Sequence, residues 1–103
     1  MNLVQLLLPL FDNDGQRLPD ESFRRVRTEL TERFGGLTTY TRAPAKGLWQ
    51  DDDTGDTNED EIVVYEVMVE TIDRGWWKTY RERLERTFRQ KELVVRSQPI
   101  DVL

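Results

Sequence analysis

Glu61-Ile62-Val63-Val64-Tyr65-Glu66-Val67-Met68-Val69-Glu70-Thr71 is the stretch that decides the fold. Its alternate positions separate into two faces. Val63, Tyr65, Val67 and Val69 form one uninterrupted apolar set, while Ile62, Val64, Glu66, Met68 and Glu70 form another with a carboxylate at its centre. A run this rich in β-branched residues reads as an interior strand, well covered on one side and partly covered on the other.

Outward from it, the chain repeats a pattern. Leu3 to Leu10 alternates as a first strand, with Val4, Leu6, Leu8 and Leu10 toward the core and Leu3, Gln5, Leu7 and Pro9 opposite. Pro9 donates no ladder hydrogen bond, so regular pairing is expected to fade there. Asp12-Asn13-Asp14-Gly15 is a turn. Pro19-Asp20-Glu21-Ser22 opens a helix whose Phe23, Val26, Leu30 and Phe34 make one apolar stripe, and Gly35-Gly36 ends it. Leu37 to Arg42 is a second strand. Beyond the organising strand, Asp73 is an N-cap for a second helix. Its stripe of Trp77, Tyr80, Leu84 and Phe88 has the spacing of the first, and Leu93 to Gln98 is a last strand.

Strand–helix–strand twice over is the pattern of the ferredoxin-like α+β sandwich: a βαββαβ chain with a four-stranded antiparallel sheet and two helices on one face. Strands one and three are expected in the middle. The 103 residues suit one domain, 1–103, interrupted by a long acidic loop at about 43–60.

Composition excludes several chemistries. With no cysteine and no histidine, thiol and imidazole catalysis and ordinary zinc sites are ruled out, and no haem or nucleotide motif is present. The apolar start from Leu3 to Phe11 is too short to span a bilayer and lacks a basic leader, so a cytoplasmic protein without membrane association is expected. The net charge of -5 is uneven: residues 51–72 hold nine acidic side chains and no basic one, while 73–103 hold eight basic against five acidic. The acidic run fails the spacing of a calcium loop and reads as a solvated tip. Most helix arginines lie three or four positions from carboxylates. They read first as salt-bridged surface and more weakly as a nucleic-acid contact. Trp49, Trp76 and Trp77 read as core or interface aromatics.

The uncovered sheet face is too apolar to face water alone. Leu3, Leu7, Ile62, Val64 and Met68 make a patch of the size that marks an interaction site, so a homodimer closed through this face is expected. Glu66 needs a partner there. Arg96 is the candidate for a register-fixing ion pair, with Gln5 on the same face; a ligand carboxylate between protomers is the alternative for Glu66. Separately, Asp12 and Asp14 follow the first strand, as turn residues or as ligands of Mg²⁺ or Mn²⁺.

Two resemblances attach to these residues. Phe34-Gly-Gly-Leu-Thr38, Gly47-x-Trp49, the apolar strand with Glu66, and Val94-Val-Arg96 resemble a family of small bacterial proteins described only as a domain of unknown function. The likeness covers most of the chain from Phe34 onward, implies the fold and carries no reaction. The layout also resembles the CRISPR-associated Cas2 proteins, through Asp12 at the end of strand one. That resemblance implies a homodimeric, divalent-metal-dependent nuclease with Asp12 as its catalytic carboxylate; Pro9 and Phe11 depart from the family's short strand end. Against it stands a non-catalytic binding or oligomerisation module using the open sheet face or the acidic loop.

Overall fold

The computed structural model describes residues 1–50 and 57–103. Along the chain run β1 (Asn2–Pro9), α1 (Asp20–Phe34), β2 (Thr38–Gln50), β3 (Thr57–Val69), α2 (Arg74–Thr87) and β4 (Val94–Pro99). The four strands form an antiparallel sheet in the order β2-β3-β1-β4, the ferredoxin-like arrangement with β1 and β3 at its centre. Both helices cover one face.

Alternation settles which side chains go inward. Val4, Leu6 and Leu8 of β1 and Val63, Tyr65, Val67 and Val69 of β3 are all buried. They pack with Phe23, Val26 and Leu30 of α1 and Trp77, Tyr80 and Leu84 of α2. Each such side chain contributes about 1.5–3 kcal/mol through its removal from water. Tyr65 keeps its hydroxyl satisfied by accepting from Arg27 Nη1 at 2.9 Å. Aromatic rings lock the helices together: Phe34 stacks on Trp77 and Phe23 meets Phe88 edge-on, at centroid distances of 5.3 and 5.1 Å.

The helix ends follow from the local sequence. Asp73 Oδ1 accepts the Trp76 N–H at 3.0 Å at the start of α2. Gly35 takes a left-handed φ of 79° after α1 and donates its N–H to Thr31 O, closing the last turn.

The described parts of the loop expected over 43–60 are strand. Residues 43–50 belong to β2 and 57–60 to β3, paired from Ala45↔Ile62 to Gln50↔Thr57. The acidic positions 51–56 lie outside the described residues. Since β1 stops pairing with β3 at Pro9↔Ile62, this hairpin runs past the four-stranded body as a two-stranded arm. Pro44 is accommodated because β2 is an edge strand and its register shifts between Tyr40 and Ala45. Pro9 is tolerated for a related reason: β4 has already left β1 at Leu7↔Val94.

Candidate functional site on the open sheet face

On the face away from the helices, one polar row crosses the middle of the sheet. The register places Gln5 directly between Glu66 on β3 and Arg96 on β4. Gln5 Nε2 donates to Glu66 Oε1 at 2.6 Å, and Arg96 Nε donates to Gln5 Oε1 at 2.9 Å. Tyr40 of β2 donates its hydroxyl to Glu66 Oε2 at 3.3 Å. All four strands therefore contribute one residue. The carboxylate accepts on both oxygens, the amide relays, and the guanidinium ends the row.

The expected Glu66–Arg96 ion pair is thereby corrected. The two residues share a face, but they stand on strands separated by β1. No ion pair joins them among the described residues, and the Gln5 amide bonds to both instead. Tyr40 was missed from the sequence, where it read only as a strand residue; its pairing opposite Val64 sets it diagonal to Glu66.

Apolar side chains flank the row on both sides. Leu3 and Met68 pair across β1 and β3 at one end, and Leu7 lies between Val64 and Val94 at the other. Met68, Tyr40 and Val94 are 56%, 54% and 52% exposed, whereas Leu3, Leu7, Ile62 and Val64 are half-buried. Scattered apolar exposure is ordinary. A contiguous set across three strands around a hydrogen-bonded row is not.

Asp12 has a different setting. Its side chain is 4% exposed. Oδ1 accepts the backbone N–H groups of Asp14 and Gln16, each at 2.9 Å, and Oδ2 lies 3.6 Å from Arg89 Nη1. Two backbone bonds, Asp12 N to Gln16 O and Gly15 N to Asp12 O, complete the turn. The carboxylate thus folds back into its own turn, which is the chemistry of an Asx turn. Asp14 is exposed beside it. Among the described residues, no group of three or more Asp, Glu, His or Cys is arranged to hold a metal ion.

On the helices, Arg24 pairs with Glu21, Arg81 with Glu85, and Arg83 with Glu29 across the helix–helix seam, and just before α1 Arg17 pairs with Asp20. Among the described residues, the salt-bridged surface expected from the sequence thus forms for only three of the eight helix arginines. Trp77 is buried and Trp76 half-buried. Arg33 lies over Trp76 at 4.2 Å, Trp76 stacks on Tyr80 at 4.8 Å, and Arg83 covers Tyr80 at 4.9 Å. This stack ties α1 to α2. Among the described residues, the buried Tyr80 hydroxyl has no partner within hydrogen-bond geometry. Burial, and then the Glu29 carboxylate, push its pKa above the ordinary 10.0, against an opposing pull from Arg83. No helix among the described residues is long and apolar enough to cross a membrane.

No family model matches the sequence, and no curated protein sequence matches it. Solved structures do. A phage SAM lyase in complex with S-methyl-5'-thioadenosine superposes with a TM-score of 0.67 at 14% identity, over 94% of this chain and 79% of the other. CutA1 from Pyrococcus horikoshii gives 0.62 at 14%, over 100% and 86%. The divalent cation tolerance protein CutA1 from Thermus thermophilus gives 0.63 at 16%, over 97% and 84%. The resemblance to Cas2 proteins draws no support from these likenesses. At such identities they show one thing, that this chain shares the small ferredoxin-like fold on which those proteins are built.

Proposed function

We propose that this protein is a self-assembling module whose open sheet face closes against a second copy, with Gln5, Glu66 and Arg96 at the centre of the contact. The observation that carries the reading is the polarity of the row. It is negative at Glu66 and positive at Arg96, with the Gln5 amide between. A two-fold axis near Gln5 lays one row head-to-tail over the other, bringing each Glu66 opposite the partner's Arg96. Two-fold contacts require such self-complementarity. The flanking Leu3, Leu7, Val64, Met68 and Val94 supply the apolar area.

Charge reversal tests this. Light scattering on the wild-type protein is expected to give a species twice the 12.2 kDa chain mass. Glu66→Arg and Arg96→Glu should each weaken the dimer at least tenfold, and the double exchange, which restores complementarity, should recover it. A monomeric wild type, or a double variant no better than the singles, refutes the reading.

A divalent-cation reading has one point of support, the description of a structural neighbour as a divalent cation tolerance protein. On this chain it would use Asp12 and Asp14, with Mg²⁺ or Mn²⁺ promoting phosphodiester cleavage in the manner the Cas2 resemblance implies. The inward-turned Asp12 carboxylate weighs against it, because an ion would have to displace two amides or Arg89. EDTA-sensitive nuclease activity that Asp12→Asn abolishes would establish it.

A further inference from the structure

A recess of about 200 Å³ opens on the helix-covered side, between α2 and the outer edge strand β4. Its floor is apolar, made by Val4, Ile72, Trp77 and Val95, and Ser97 belongs to one wall. Arg74, Lys78 and Arg81 stand along its rim at i, i+4 and i+7 of α2, so they share one helix face. Among the described residues, no carboxylate lines the recess.

The charge at this recess is largely unmatched. Across the helix seam, Arg83 is matched by Glu29, and on α1 Arg24 is matched by Glu21. At the recess only Arg81 has a counter-charge, Glu85 at 3.8 Å. Arg74 and Lys78 make no ion pair among the described residues. Asp73, next to Arg74, directs its side chain to the Trp76 N–H. Arg96 also borders the recess, but its Nε is bound to Gln5 on the opposite face. Stacking like charges on one helix face is unfavourable, and here they surround apolar surface that water solvates poorly.

We propose that this recess binds a small organic anion: a carboxylate or phosphate head on a compact apolar body. The head meets Arg74, Lys78 and Arg81, and the body lies against Trp77 and Val95. The size agrees. At about 30 Å³ per water, 200 Å³ holds roughly six waters, the room for one aromatic ring and its anionic group. Charge-assisted hydrogen bonds supply orientation and the apolar floor excludes simple inorganic anions from competing on equal terms. The site lies across the sheet from the proposed dimer face and does not depend on it.

Calorimetry on the full chain with four probes tests the assignment: benzoate, phenyl phosphate, inorganic phosphate and benzyl alcohol. Benzoate or phenyl phosphate should bind saturably, one per chain, at least tenfold tighter than either inorganic phosphate or benzyl alcohol. Which of the two is tighter identifies the head group. The Arg74→Gln/Lys78→Gln double variant changes only exposed side chains, so its thermal melt should match wild type while affinity falls at least tenfold. The proposal is overturned if neither aryl anion binds, if inorganic phosphate binds as tightly, or if the double variant binds unchanged.

Discussion

Replacing Asp12 with alanine should destabilise the protein by about 2–4 kcal/mol, whatever the protein catalyses or binds. The figure comes from the turn geometry. Two part-buried amides, those of Asp14 and Gln16, lose their acceptor together. Each hydrogen bond to a charged group is worth about 1.5 kcal/mol or a little more. The contact with Arg89 adds under about 1 kcal/mol, since that side chain is 71% exposed and water screens it. Asp12→Asn keeps an oxygen where Oδ1 stands and suits the same turn, so its loss should be only about 1 kcal/mol. The measurement is urea unfolding followed by tryptophan fluorescence, at two protein concentrations so that any self-association is accounted for. With a slope of about 1–3 kcal/mol/M for a small protein, the alanine midpoint should fall by about 1–2 M. A metal-ligand role predicts the reverse pattern: both variants folded like wild type and both inactive. An alanine variant within about 0.5 kcal/mol of wild type would refute the turn assignment.

Substitutions at three further positions have expected outcomes. Leu30 is fully buried between the helices and the sheet, so Leu30→Ala should cost about 2–5 kcal/mol in the same assay. Tyr80→Phe removes a buried hydroxyl that has no partner among the described residues and should stabilise by about 1 kcal/mol. The same residue governs alkaline behaviour. Its folded pKa is raised, so its contribution is intact below pH 10.0 and declines as pH rises beyond that value, when only the unfolded chain ionises it; Tyr80→Phe should flatten this decline in pH-dependent melts. Arg89 holds a left-handed φ of 53°, so Arg89→Gly relieves roughly 1 kcal/mol of backbone strain while losing the screened contact with Asp12. Its melting point should stay within a few degrees of wild type, in contrast to that of Asp12→Ala.

The fold was legible wherever burial imposes a period. Val63, Tyr65, Val67 and Val69 had to face the core together, and each helix stripe repeated the other's spacing. The arm was not legible. Ala43-Pro44-Ala45-Lys46-Gly47 has little strand preference of its own, and only the ladder of residues 45–50 with 57–62 carries the strand through it. Pairing between two weak segments leaves no period in either one. Arg89 beside Asp12 was hidden for another reason: nothing local links residues 77 positions apart.

At the candidate site, phase alone placed Gln5, Glu66 and Arg96 on one face, and the strand order supplied the rest. With β1 between β3 and β4, Gln5 stands between the two charges, and to bridge them it must both donate and accept. A glutamine does both, through its amide nitrogen and its carbonyl oxygen. The consequence reaches beyond sheet register. A closed Glu66–Arg96 pair would neutralise itself and offer little to a partner. Held apart by Gln5, the carboxylate and the guanidinium each keep a charge that a second copy, turned head-to-tail, can meet.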